Sequence, residues 1–322
     1  MTRLRRAVES DLKEIARLDR DGSRHPCGLD PRLAPPVGDA RRTEDDFRSV
    51  LRHRQCRIMV GEEDDGGGLG GYSVGTVVHN EPFSVSRYGY VNCLYVGQER
   101  RCRGRGDALL GALRSWFKEQ GLAAAQVDVC RSAVDAQDFL ERRGFRPFLD
   151  HLWRSAGREI DGCGVPCSTI RRAESTDSDS VVLLWKEMMD VHSAVDERLS
   201  VASGWREIVD GSIGRWLRDP ESCLIVAERA EGVVGVALGG VVDATLGLES
   251  NVRGQVAHLC VGASWRRQGV GRQLVRSLRE WLADRRVTSM HLYVSRFNPD
   301  SQRFWRSLGF EDYTSRLWCD LV

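Results

Sequence analysis

Residues Gly254–Gly271 read GQVAHLCVGASWRRQGVG, and Gly89–Gly106 read GYVNCLYVGQERRCRGRG. In each, a short apolar run (Leu259-Cys260-Val261; Leu94-Tyr95-Val96) leads into Arg-x-x-Gly-x-Gly (Arg266, Gly269, Gly271; Arg101, Gly104, Gly106). A helical pattern follows both: Leu274, Leu278, Trp281 and Leu282 recur at the spacing of one helix face. Glycine lets the backbone take positive φ and approach a ligand, so successive N–H groups can converge. The following helix start aims the positive end of its dipole at the same point. Strand, glycine turn and helix start together predict a pyrophosphate cradle. A single Gly-x-Gly is also an ordinary strand-to-helix loop. Here it occurs twice in one context, each time with Gly-Phe (Gly144-Phe145, Gly309-Phe310) beginning 40 residues after the first glycine, which favours the binding reading.

The two stretches belong to a repeat. A shift of 165 residues places Gly104 on Gly269 and Gly144 on Gly309, and it holds without a gap from Gly89/Gly254 to Trp153/Trp318 with about a third of positions identical. Trp116 meets Trp281, Phe139 meets Phe304, and LRRAVESD from Leu4 resembles IRRAESTD from Ile170. That period is far beyond a solenoid unit of about 20–50 residues, so a whole domain is duplicated. The join near 158–168 contains Gly, Pro and no periodicity, giving expected domains 1–160 and 168–322. In the second copy the patterns predict strand 170–172, helix 178–192, a hairpin of 224–228 and 233–242, and strand 256–261. Helix 270–285, strand 289–295, helix 299–308 and a last strand near 316–320 complete it. The Gly-rich GEEDDGGGLGGY from Gly61 sits at the hairpin position of the first copy; its acidic residues suit an exposed tip and would repel phosphate.

With 322 residues, 41% hydrophobic and 29% charged, the chain can bury two cores. A net charge of +1 lacks the basic excess that a nucleic-acid or membrane-surface binder needs, so neither partner is expected. No run approaches the ~20 apolar residues of a membrane span. The opening MTRLRRAVESDLKEI lacks the apolar core of a secretory leader, and a cytoplasmic location is expected. The ten cysteines are scattered, several in strand-like runs (Cys93, Cys130, Cys260), which suits buried free thiols. Cys163 and Cys167 form the one close pair; without further ligands no metal site is expected.

These motifs resemble the GNAT N-acetyltransferase superfamily, once per half. The later family motif, Asn-x-x-Ala/Ser-x-x-Φ-Tyr-x-x-x-Gly-Phe, is matched in the second copy by Asn298, Ser301, Phe304, Gly309 and Phe310. The resemblance implies two tandem α/β (α+β) domains, each a twisted, largely antiparallel mixed sheet with flanking helices, using acetyl-CoA. It implies that the strand before the glycine turn splays from its neighbour. Leu259, Cys260 and Val261 would then pair with pantetheine, the turn Arg266, Arg267, Gln268, Gly269, Val270 and Gly271 would hold the pyrophosphate, and Asn298 would hold the pantetheine arm. The tyrosine that serves the family as proton donor is replaced by Trp305 and, in the first copy, Leu140; Ala133 replaces the asparagine there. The second copy is therefore expected to be the catalytic one.

Attack by an amine needs a neutral nucleophile, and an alkylammonium has a pKa near ~10, so a base or water chain must take its proton. His258, three residues before Val261, is the candidate base, with sheet packing as the alternative; Cys93 stands in its place in the first copy. Further candidates are Gln255, Tyr293 and Tyr313, and the region after the first helix, His192 and Asp196 with twins His25 and Asp30, as an acceptor cap or a structural helix end. Arg100, Arg101, Arg103 and Arg105 suit a phosphate-rich cofactor better than nucleic acid. The expected activity is acetyl transfer to a primary amine of a small metabolite, of the antibiotic, aminophosphonate or thiol-precursor class. A non-catalytic acyl-CoA sensor and an acetyltransferase of protein amines remain the alternatives.

Overall fold

The computed structural model describes residues 3–30, 32, 43–63, 68–101, 103–160, 168–242 and 253–321, without the side chains of 23–29 and 100. The N-terminal half runs β1 (Arg3–Arg6), α1 (Leu12–Leu29), α2 (Glu44–Arg52), β2 (Cys56–Glu62), β3 (Leu69–His79), β4 (Arg87–Val96), α3 (Arg105–Glu119), β5 (Ala124–Cys130), α4 (Val134–Glu141) and β6 (Arg146–Ser155). The C-terminal half repeats the order: β7 (Thr169–Arg172), α5 (Ser178–Val195), α6 (Trp205–Arg218), β8 (Ser222–Arg229), β9 (Gly232–Val242), β10 (Arg253–Val261), α7 (Val270–Asp284), β11 (Ser289–Ser295), α8 (Pro299–Ser307) and β12 (Glu311–Asp320). The elements named from the sequence are all present within a few residues; α6 is an addition, and β12 begins earlier than expected. Cys163 and Cys167 lie outside the described residues.

All twelve strands form one sheet, in the order β1-β2-β3-β4-β5-β12-β6-β11-β10-β9-β8-β7. Every pairing is antiparallel except β4–β5 and β10–β11. Each half's final strand inserts between the other half's last two strands: β12 lies between β5 and β6, and β6 lies between β11 and β12. Asp150 pairs with Ser315, its own repeat equivalent, which marks a pseudo-twofold axis between the two strands. Beside that axis the buried Asp150 carboxylate accepts from Arg131 Nη1 (2.8 Å) and Gln302 Nε2 (3.0 Å) and lies 3.4 Å from Arg296 Nε.

Strand alternation sorts the core onto two faces. Leu224, Val226, Val236, Leu238 and Cys260 face α5 and α6, whereas Cys223, Ile225, Ala237 and Val256 face α7 and α8. The exchanged strands are shared core: Leu152, Ala156 and Ile160 pack under α7, while Leu317, Cys319 and Leu321 pack under α3. The segments after α1 and α5 clamp the exchange. Asp30 holds Arg32 (2.7 Å) over Trp153 and Tyr313, and Asp196 holds Arg198 (2.7 Å) over Phe148 and Trp318. Each aspartate thus stands at the end of its helix in an ion pair with the arginine two residues on.

Candidate active site

In the C-terminal half β10 and β11 pair only at Gly254–Met290 and Gln255–His291, then part, while β11 continues along β6 to Ser295. A bulge at Ala257, between the pairs Val256–Gly239 and His258–Leu238, accompanies the divergence by increasing the strand's local twist. Gly262 N–H donates to Val234 O (3.0 Å) on β9. Backbone direction alternates along a strand, so Cys260 and His258 also turn their polar groups toward β9, and Leu259 and Val261 turn theirs into the gap. Val261 O accepts from Arg266 Nε (2.9 Å), which leaves the amides of Leu259 and Val261 and the Leu259 carbonyl facing the opening. Cys260 is thereby set apart from its two neighbours: its thiol is buried against Met188 of α5 and is pushed up out of the ionising range by that burial.

The turn beyond β10 passes through Arg267 at φ 61° and Gly269 at φ 86° before α7 begins. No side chain caps Gly269, so α7 starts from a left-handed turn with the amides of Val270 and Gly271 at its head, the local geometry of an anion cradle. The other members of the motif differ in task. Arg266 closes the end of β10 and is ion-paired with Glu187 of α5 (2.5 Å). Gln268 Nε2 donates to Ser264 O (2.9 Å), and Val270 is buried. A Cβ at Gly271 would lie 3.3 Å from the Phe304 ring, so this glycine lets α7 and α8 pack closely. Asn298 caps α8, its Oδ1 accepting from Ser301 N–H (3.0 Å). Trp305 is buried in the core with Leu308 and Phe310.

His258 is half-buried on the α5–α6 face, with Trp216 at 5.8 Å and Trp185 at 6.3 Å between ring centroids. Burial, and then the neighbouring His192, hold its pKa down at about 4, so the ring is neutral across the physiological range. The tryptophan neighbours were not anticipated. The available signal was their density, since Trp185, Trp205 and Trp216 are three of the nine in the chain.

A model of the acetyltransferase (GNAT) family matches residues 26–145 and 185–310. The chain belongs to that family. A GCN5-related N-acetyltransferase from Sphaerobacter thermophilus superposes with a TM-score of 0.66 at 19% identity, covering 99% of this chain and 96% of that one. A tandem GNAT protein from the clavulanic acid biosynthesis pathway gives 0.60 at 15% identity, covering 100% and 99%. At such identities the likeness shows the fold. Human N-acetyltransferase 8 is 28% identical over 123 residues, 36% of this chain; the chain spans about half the length (53%) of that relative.

The N-terminal GNAT repeat preserves the frame and changes the polar set. β4 and β5 pair only over Gly89–Val91, a bulge at Asn92 follows, and Gly104 has φ 74° before α3. Cys93, in the place of His258, donates to Tyr72 Oη (3.2 Å), and Tyr72 donates to the buried Asp19 (2.5 Å). Ala133 gives α4 no side-chain cap, and Leu140 is core. Of the remaining candidates, Gln255 ends the β10–β11 pairing, and Tyr313 donates to Arg32 O (3.4 Å). Tyr293 stacks on His151 and donates to Asp128 (2.8 Å), which also takes Arg316 Nε (2.7 Å). Burial opposes ionisation of Asp128, but the Arg316 guanidinium outweighs it and holds the carboxyl at about 2.

Proposed function

We propose that the C-terminal half transfers an acetyl group from acetyl-CoA to the primary amine of a small metabolite, and that the N-terminal half serves as scaffold without catalysing transfer. The observation that carries this reading is the β10–β11 gap with two free backbone amides, closed at one end by an uncapped left-handed turn. Acetyl-CoA, when bound, supplies an activated acyl thioester. Gly269 and the first amides of α7 would hold its pyrophosphate. Leu259 and Val261 would pair with the pantetheine arm and place an N–H at the carbonyl oxygen, where negative charge grows during attack. Asn298, its carbonyl committed to α8, offers its NH2 to the arm.

His258 is the proposed base. A ring held near 4 is too weak to strip a free alkylammonium, so the amine enters in its neutral form, its first proton left in bulk water. It can take the proton once the nitrogen has bonded to carbon and become acidic, passing it on to water. The amine nitrogen gains the acyl carbon, the carbon–sulfur bond breaks, and the thiolate takes a proton from water. A compact acceptor fits better than a protein chain because the other half reaches over this side. Ser84 N–H donates to Ser200 O (2.8 Å), Ala202 N–H to Pro82 O (2.8 Å), and Phe83 packs beside the α5–α6 core. The sensor reading has one observation in its favour: Trp305 and Leu140, at the family's proton-donor position, are both buried and apolar. Thiol release from acetyl-CoA with a panel of amines separates the two. Release with any amine supports transfer, and tight binding of acetyl-CoA without release supports sensing.

A further inference from the structure

The surroundings of His258 say something about the body of the acceptor. Trp185 and Trp205 stack at 5.6 Å, Trp185 meets the imidazole edge-on, and Trp216 tilts over it from α6. Trp205 and Trp216 are only partly buried, so the wall retains accessible aromatic surface. Trp185 is 3% exposed, and its indole N–H has no acceptor. Such an orphaned donor is costly inside a protein unless a ligand or water meets it. Among the described residues His258 likewise has no hydrogen-bond partner.

The charge recorded against this wall is the Lys186 ammonium, 5.7 Å from the centre of the Trp205 ring. The carboxylates of α5 are engaged elsewhere: Glu187 with Arg266, Asp190 with Lys186, and Asp179 with Arg206. Among the described residues no carboxylate offsets the effect of burial on His258. A polyamine would bring further ammonium groups beside Lys186, and an aminosugar more hydroxyls than the Trp185 N–H and His258 can pair, both at a desolvation cost. Flat rings, by contrast, gain both area burial and offset or edge-to-face contacts against tryptophan.

We propose, resting on the acetyl-transfer reading, that the acceptor carries its amine on a flat aromatic body that lies against the accessible surface of Trp216, with the nitrogen beside His258. The opening between β10 and β11 begins beyond Gln255, and the next residue after His258, Leu259, turns its amide into it, so an amine held there stands at the edge of the gap where the thioester would lie. The transfer itself is unchanged, and the wall selects which amine reaches it.

The full chain should be assayed for thiol release from acetyl-CoA with 1-naphthylmethylamine, 2-phenylethylamine, spermidine and glucosamine. Binding of 1-naphthylmethylamine should be measured by equilibrium dialysis with coenzyme A present. The aromatic amines should show kcat/KM at least about tenfold above the other two. Trp216→Ala should raise their KM about tenfold with kcat little changed, and Trp216→Phe should restore most of it. Preference for spermidine or glucosamine, or a KM untouched by Trp216→Ala, overturns the aromatic acceptor and leaves acetyl transfer standing. If no amine releases thiol, the transfer reading fails, and dialysis still decides the pocket. Binding lost in Trp216→Ala but kept in Trp216→Phe upholds it, and no binding to the wild type overturns it.

Discussion

At the scale of single residues, Gly269 and His258 carry the proposed chemistry in different ways. Gly269 sits at φ 86°, where a side chain is strained, and a carboxylate there would face the proposed pyrophosphate. Gly269→Asp should abolish acetyl-CoA binding in calorimetry on the folded protein, while Gly104→Asp should leave turnover largely intact. The reverse pattern would assign catalysis to the N-terminal half, and equal loss would mean two working or coupled sites. His258→Ala should lower kcat by ~10²-fold, the usual scale for a general base. Because burial depresses the ring to about 4, the acid limb of kcat should fall near pH 4 rather than near the ordinary histidine value of ~6.5. A limb near 6.5 that disappears in His258→Ala would show the ring to be more solvated than its tryptophan neighbours imply. Unchanged kcat in the variant would make the histidine structural.

At the scale of elements, the exchanged strand decides what can fold. β6 pairs with both β11 and β12 and contributes Leu152, fully buried, to the core under α7. Leu152→Ala should cost ~2–5 kcal/mol in chemical denaturation, the range for deleting a buried leucine, although the residue belongs to the N-terminal repeat. The expected boundary at 160/168 can be tested the same way. A fragment 168–322 lacks the strand that joins β11 to β12 and should show no cooperative melt. A fragment starting at Arg142 retains β6 and should melt cooperatively. Equal, cooperative melting of both would show that the C-terminal half closes its own sheet when alone. This dependence was not legible in the sequence, where 146–155 reads simply as the last strand of its own repeat. The two repeats have matching apolar patterns at these strands, so either would suit either sheet by burial alone.

At the scale of the molecule, the central strands hold a buried polar seam. His291 Nδ1 is hydrogen-bonded to His151 Nε2 (3.1 Å), whose Nδ1 meets Thr314 Oγ1 (3.1 Å). Burial lowers His151 to about 3 and, with His151 beside it, lowers His291 to about 2. Both rings are neutral in the folded state, whereas in the unfolded chain they protonate near ~6.5. Unfolding therefore takes up protons below that value. The stabilisation is complete above pH ~6.5 and falls as pH drops, toward the folded values near 3 and 2. Two such rings contribute roughly 2.7 kcal/mol per pH unit to the slope between about 6 and 4, and the depressed His258 and His192 add to it. Urea midpoints across that interval measure the slope, and His151→Gln should lower it by roughly 1.4 kcal/mol per pH unit. A flat profile for the wild type would mean that the seam admits protons without unfolding.

Much of this protein was determined by local sequence. The repeat, the strand–glycine turn–helix unit and most helices and strands follow from the periodicity and turn chemistry of neighbouring residues, which act within about a dozen positions. The place where β10 leaves β11 followed from family likeness, and its physical basis is the bulge at Ala257 and the pairing that ends at Gln255. Three features were decided only by tertiary structure. Strands β6 and β12 are inserted reciprocally, because partner choice between repeats with matching patterns depends on chain connection and packing across 165 residues. His258 became a weak, neutral ring because helices distant in sequence bury it. Trp185 and Trp216, ordinary core candidates when read along their helices, face a common histidine because α5 and α6 cross the same strand.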